Sequence, residues 1–304
     1  MKFPTLPLRT VSIIGTGMIG ASLGLALKER RLCERVIGCA RTATTLNTAR
    51  QLGAIDEGYR DPAEAVPEAE VVFIATPVND IIPTFERILP HLSPPTIVTD
   101  VGSTKQQIVA GAERLLNNEV EGVSFIGGHP MAGSEKTGPA AARAGLFEGA
   151  TWVLTPEAGE NDEAVHSLVA LVEALGARPL FLSPQEHDAI VAFTSHLPHI
   201  VACALVNTVV QAPAPHELLQ RLIAAGFRDT TRLADSGHEL WQQICFSNRE
   251  SLHQALLAMR EQLDHVMQTL EKEEAQELSG WLQEAAASRA RLVSSEHSIA
   301  TLKR

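Results

Sequence analysis

Over the first 180 or so positions, short β-branched apolar runs alternate with stretches of helical periodicity, a pattern that predicts a parallel sheet wrapped by helices. The apolar runs fall at 10–15, 35–39, 71–75, 96–100, 124–127, 151–154 and 179–182. Amphipathic stretches at 19–30, 43–52, 79–89, 104–116 and 163–175 lie between them. In a doubly wound sheet ligands sit beyond the carboxyl ends of the strands, so the residues just after each run are the ones to read for chemistry. After Leu182 the β pattern stops. Ser183-Pro184-Gln185-Glu186 reads as a helix start, with Ser183 as N-cap, Pro184 in the first turn and Glu186 spaced to close a capping box. From there the spacing is helical to the end, with Leu256, Met259, Leu263, Val266 and Leu270 on one stripe. Pro198 removes a backbone donor from the first of these helices and is expected to kink it. Two domains are expected: an α/β domain over 1–182 and an all-α domain over 183–304, whose apolar stripes are extensive enough to bury a partner subunit.

The first strand runs straight into Gly15-Thr16-Gly17-Met18-Ile19-Gly20. G-x-G-x-x-G at a strand-to-helix junction brings backbone N–H groups and a helix N-terminus against a pyrophosphate, so a Rossmann-type dinucleotide site is expected there. The acidic residue that accepts from the ribose hydroxyls of NAD is due about 20 residues past the last glycine. Position 40 is alanine, followed by Arg41 and Thr42. That sequence leaves room for a 2′-phosphate, supplies a guanidinium to pair with it, and adds the hydroxyls of Thr42, Thr44 and Thr45. NADP is the expected cofactor, with NAD as the alternative.

Composition narrows the partners. The 304 residues are 45% hydrophobic and 20% charged, and the formal net charge of −11 opposes attraction to nucleic acid or to an anionic membrane. Cys33, Cys39, Cys203 and Cys245 show neither C-x-x-C pairing nor zinc-ligand spacing, which points to reduced thiols and no metal. The opening MKFPTLPLRT lacks a long apolar segment, and no run of about eighteen apolar residues follows, so a cytoplasmic protein without a membrane span is expected.

Three segments after the later strands carry candidate chemistry: Ala75-Thr76-Pro77-Val78, Asp100 to Lys105, and Gly127-Gly128-His129-Pro130-Met131-Ala132-Gly133-Ser134. Thr76 and Pro77 close a strand where a nicotinamide-side loop would pass. Ser103 stands where an N-cap belongs, a role compatible with catalysis. Glycines on either side of His129 allow close backbone approach and hold an imidazole at the sheet edge, next to any cofactor bound by the glycine loop. The residues alone lead to a dinucleotide-dependent dehydrogenase with a helical second domain. They leave open a β-hydroxyacid-type enzyme or a non-catalytic NADP-binding sensor, although residues 184–211 contain none of the lysine that the former group employs.

GTGMIGASL, ATPV, DVGSTK, GGHPMAGSEKTG, SHLPH and GFRDTTR, in this order, resemble the prephenate/arogenate dehydrogenase family of tyrosine biosynthesis. The NADP-like loop and the compact chain, with no stretch left for a mutase or regulatory domain, are most similar to the cyanobacterial-type arogenate enzymes. The resemblance implies a dinucleotide domain, a helical domain forming a homodimer, and oxidative decarboxylation of arogenate or prephenate. It makes His129 the acceptor of the substrate's hydroxyl proton, with a pKa near working pH, and gives Ser103 the task of orienting that hydroxyl. It carries carboxylate recognition onto Arg232, with Arg228 a second candidate or a structural partner of Asp229. His196 is expected to reach the substrate side chain, Trp241 to wall the pocket, and Ser134 with Glu135 to line or gate it. His199, three residues after His196, is read as helix packing.

Overall fold

The computed structural model describes residues 3–116, 121–133, 136–156 and 162–294. The described residues form two compact units that divide between Leu252 and His253. In the first unit, β1 (Leu8–Ile14) leads through the glycine loop into α1 (Met18–Glu29). β2 (Cys33–Cys39), α2 (Ala43–Gln51) and the short β3 (Glu57–Tyr59) follow. The chain then makes β4 (Val71–Ile74), α3 (Val78–Ile88), β5 (Thr96–Asp100), α4 (Gln106–Leu116) and β6 (Val123–Pro130). β7 (Thr151–Thr155), α5 (Asp162–Ala174) and β8 (Arg178–Phe181) complete the sheet.

The eight strands lie in the order β3-β2-β1-β4-β5-β6-β7-β8. Every neighbouring pair is parallel except β6 with β7. The strand order reverses between β1 and β4, which places the ligand crevice at the carboxyl ends of those two strands. Near-continuous apolar runs are what a sheet buried on both faces requires. Ile13 and Phe73 point into one layer with Leu23 and Leu27 of α1 and Leu168 and Leu171 of α5. Their neighbours Ile14 and Ile74 point into the other, with Ile81 and Phe85 of α3 and Ile108 of α4.

Among the described residues only helices follow β8: α6 (Pro184–Val191), α7 (Leu197–Val210), α8 (His216–Leu222), α9 (Ala225–Thr231) and α10 (His238–Ser247). The capping box at Ser183 forms as its spacing predicts: Ser183 Oγ accepts from Glu186 N at 3.2 Å and Glu186 Oε2 accepts from Ser183 N at 3.0 Å. Pro198 does not interrupt a straight helix. It lies in the first turn of α7, just after a π-helical turn over Ala192–His196, so the widened turn absorbs the missing donor. The run Pro184–Val210 is 27 residues long and apolar enough to cross a membrane, and most of its apolar stretch is not buried within the chain. Its inward side nevertheless carries His187, Asp188, His196 and His199. α11 (Arg249–Glu271) crosses the division between the units, and α12 (Ala275–Ser294) follows it. Within the second unit Trp281 Nε1 donates to Gln262 Oε1 at 3.1 Å.

Candidate active site

The glycine loop is shaped by contact with the next strand. Gly15 has φ +106°, and a Cβ there would fall 2.4 Å from the carbonyl oxygen of Ala75, so a side chain is excluded twice over. At Gly17 an added Cβ would meet nothing within 4 Å, which leaves the mouth of the loop open, and the start of α1 has no side-chain cap. Thr16 Oγ1 and Thr76 Oγ1 are both buried without a hydrogen-bond partner. Pro77 is the N-cap of α3, and the helix's first amides are reached from the helical region, where Gln243 Oε1 accepts from Asn79 N at 3.2 Å. Across the crevice Arg41 is exposed at the end of β2, and Thr42 is the N-cap of α2, its Oγ1 accepting from Thr45 N at 3.2 Å.

His129 lies within β6, opposite Val153 of β7, because the strand continues three residues beyond its expected end. The strand passes so close to β5 that a Cβ at Gly128 would stand 2.6 Å from the Asp100 carbonyl oxygen. Its ring is fixed by a relay from α6. His129 Nδ1 is 2.8 Å from His187 Nε2, and His187 Nδ1 is 2.7 Å from Asp188 Oδ1. An ionised carboxylate only accepts, so His187 donates from Nδ1, accepts at Nε2 from His129 Nδ1–H, and leaves the His129 Nε2 lone pair to take a proton. Burial first, then the neighbouring His187 imidazole and the Lys105 ammonium, hold the His129 pKa well below the ordinary imidazole value. This departs from a pKa near working pH: the ring is a neutral acceptor throughout the physiological range.

Two buried carboxylates hold the loops around this imidazole. Asp188 accepts from the amides of Lys105 at 2.7 Å and Gln106 at 3.0 Å, and so takes the start of α4, which sequence spacing had given to Ser103. Ser103 is partly buried and lies three residues ahead of the helix. Asp100 Oδ2 accepts from Gly102 N at 2.7 Å and Oδ1 from Gly128 N at 3.1 Å, and its charge is paired with Lys105 Nζ. One side chain thus ties together the residues that immediately precede Ser103 and His129. Burial pulls the Lys105 pKa down and Asp100 opposes that pull.

From the helical region, Asn248 Nδ2 donates to the Asp188 carbonyl at 2.7 Å and lies 3.3 Å from His196 Nδ1. His196 is almost fully buried, and desolvation pushes its pKa down to about 4. Trp241 meets His196 edge-on at 6.0 Å and stacks flat on His199, with centroids 3.5 Å apart and planes 6° from parallel. His199 Nδ1 is buried and unpartnered, whereas its Nε2 is 3.7 Å from Cys203 Sγ. His199, which the sequence reading gave to helix packing, thus carries a buried ring nitrogen with unsatisfied hydrogen-bonding capacity. Arg232 is exposed on a 3₁₀ turn, Arg232–Asp235, that packs on α7. Arg228 is exposed and donates to the Ile223 carbonyl at 3.5 Å. Ser134 and Glu135 lie outside the described residues.

Residues 23–180 match the family model described as prephenate dehydrogenase, nucleotide-binding domain, and residues 183–284 match its companion, prephenate dehydrogenase, dimerization domain. The chain belongs to the prephenate dehydrogenase family. Prephenate dehydrogenase of Bacillus subtilis (strain 168) is 36% identical over 88% of this chain and 72% of its own length. Among solved structures, the prephenate dehydrogenase of A. aeolicus in complex with hydroxyphenyl propionate and NAD+ gives a TM-score of 0.88 at 30% identity, covering 95% of this chain and all of the other. Synechocystis arogenate dehydrogenase gives 0.79 at 34% identity, covering 93% of this chain and 99% of the other. This member of the prephenate dehydrogenase family is accordingly an oxidoreductase with a dinucleotide-binding sheet domain and a helical dimerisation domain.

The open Gly17 position, the uncapped start of α1 and the orphaned hydroxyls of Thr16 and Thr76 suit a phosphate-linked dinucleotide lying across β1 and β4. Sequence reasoning missed His187, Asp188 and Asn248, and gave no role to Asp100 and Lys105 within the segment it singled out. One signal for the first pair was available. Pro184, His187, Asp188 and Val191 are the buried positions of α6, so two ionisable residues occupy a stripe whose spacing belongs to the core.

Proposed function

We propose that this protein oxidatively decarboxylates arogenate to tyrosine, or prephenate to 4-hydroxyphenylpyruvate, with NADP as the preferred hydride acceptor. The observation that carries the reading is the His129–His187–Asp188 relay, which presents a neutral Nε2 acceptor beside the dinucleotide crevice. A nicotinamide bound across β1 and β4 would supply the hydride acceptor. His129 takes the proton of the ring hydroxyl as the carbinol hydrogen leaves as hydride. The bond to the ring carboxylate then breaks, CO₂ departs, and its electron pair passes through the ring to the oxygen. The phenolate so formed recovers the proton from His129, and the step is proton-neutral. General base catalysis of this kind contributes on the order of 10²–10⁴-fold. Ser103 orients the reacting hydroxyl, and Arg232 pairs with a substrate carboxylate, as its planar fork allows. Trp241 and His199 line the side-chain end of the pocket, where the unpartnered His199 Nδ1 can bond a polar substituent.

The chain is taken to be a cytoplasmic homodimer with a domain boundary near 182–183. The lightly buried run Pro184–Val210 supports dimerisation through the helical domain, because a second subunit would cover its apolar surface. The deciding test is turnover with each of prephenate and arogenate against each of NAD and NADP, read as reduced-cofactor absorbance and CO₂ release. Reduction of a dinucleotide without stoichiometric CO₂ would refute the reaction. Higher kcat/KM with NAD would refute the cofactor preference.

A further inference from the structure

We propose that Arg60 acts with Arg41 to select a 2′-phosphorylated dinucleotide, an inference that rests on the NADP reading above. β3 lies parallel to β2 with Tyr59 opposite Cys39, and Ala40 N donates to the Tyr59 carbonyl at 3.2 Å. This register brings Arg60 off the sheet at the same carboxyl edge as Arg41, though it lies 19 residues further along the chain. Arg60 Nη2 donates to the Arg41 carbonyl at 3.2 Å, which holds its guanidinium over the peptide leading into α2. The same edge is pinned to the glycine loop, because Gly15 N and Thr16 N donate to the Cys39 carbonyl at 2.9 and 3.2 Å. The two arginines therefore stand at a fixed offset from the place where the pyrophosphate would lie.

Two nearby carboxylates, Asp61 and Glu57, are committed elsewhere. Asp61 caps a 3₁₀ turn through Ala63 N at 2.9 Å and pairs with Arg87 at 2.8 Å. Glu57 pairs with Arg35 at 3.2 Å and accepts from the Tyr59 hydroxyl at 3.1 Å. The first turn of α2 holds no acidic residue. Two guanidinium forks beside a helix start form a subsite for a dianionic phosphomonoester, and a ribose hydroxyl offers them little.

Calorimetry on the whole chain with 2′,5′-ADP and 5′-AMP, which differ by the 2′-phosphate, isolates this subsite. The unaltered chain should bind 2′,5′-ADP more tightly. Arg60→Ala should weaken 2′,5′-ADP about tenfold, as for one charge-assisted bond at an exposed site, and 5′-AMP by no more than about twofold. Arg60→Lys should recover part of the loss, since charge returns without the fork. Equal losses for both probes would mean that Arg60 only props the loop, and no loss for either would mean that it does not reach the ligand; both overturn the proposal. An unaltered chain that fails to tell the probes apart would overturn the NADP reading itself.

Discussion

Asp188→Asn changes one charge at the far end of the relay and should silence His129 without touching the substrate pocket. The buried carboxylate accepts from Lys105 N at 2.7 Å, Gln106 N at 3.0 Å and the His187 ring at 2.7 Å. A hydrogen bond to a charged partner contributes about 1.5–3 kcal/mol and a neutral one about 0.5–1.5, so three weakened bonds cost about 3 kcal/mol. A neutral amide is less costly to bury than a carboxylate, which offsets part of this and leaves a net destabilisation of about 2 kcal/mol. The effect on turnover is larger because the charge behind the relay is lost. Asp188 Oδ1 accepts from both Lys105 N and the His187 ring, so the asparagine keeps its amide oxygen there, turns its N–H toward Gln106 N, and leaves the tautomers in place. No carboxylate then stabilises the imidazolium that forms when His129 takes the substrate proton. Steady-state kinetics should show kcat lower by roughly 10²–10⁴-fold, with KM and dinucleotide Kd within about threefold of the unaltered chain. Urea unfolding measures the stability term separately. A folded variant that keeps more than about a third of its turnover would show that the Asp188 charge does not assist His129.

His129→Asn should lower kcat by at least about 10²-fold and leave dinucleotide affinity nearly intact; residual turnover near that of the parent would remove His129 from the chemistry. Arg232→Ala should raise KM by about tenfold or more, with kcat changed less, and an unchanged KM would contradict carboxylate recognition. Arg41→Ala should weaken NADP much more than NAD in a fluorescence titration, whereas equal losses would exclude contact with the 2′-phosphate. Acid should destabilise the fold. The His196 pKa is depressed from 6.5 to about 4, so its contribution is whole above pH 6.5 and is lost as pH falls through 4. That gap corresponds to about 3 kcal/mol, and His129 and His199 are depressed in the same direction. Urea midpoints that do not fall between pH 7 and pH 4 would contradict the buried neutral imidazoles.

The mostly parallel sheet and the change to helix near 182 were legible because strand and helix periods differ and because the capping box at Ser183 is local. The three-residue β3 was not, since Glu57-Gly58-Tyr59 carries no apolar run and is held in the sheet by pairing with β2. At the site, the glycine loop and His129 announced themselves through neighbours in sequence. Asp188 did not: its partners Lys105 and Gln106 are more than 80 residues away, and only folding makes them adjacent. The same holds for His199, whose stacking on Trp241 separates it from His196 in a way no spacing rule does.

The buried charges around His129 are better understood as setting position than as adding stability. Burying Asp100 and Lys105 costs several kcal/mol per ion before their attraction is counted, and a pair of apolar residues of similar volume would hold the sheet as well. What apolar residues could not do is accept from Gly102 N and Gly128 N with one carboxylate, which fixes the residues next to Ser103 and His129 against each other. Asp188 repeats the device between α6 and α4, accepting from the start of one helix while orienting the imidazole on its own. Catalytic groups on different strands and loops gain from being held rigidly before substrate arrives, because that ordering is then already complete when the reaction begins. The same buried polar groups that lower the fold's net stability are therefore the ones that join the sheet domain and the first helices of the helical region into a single site.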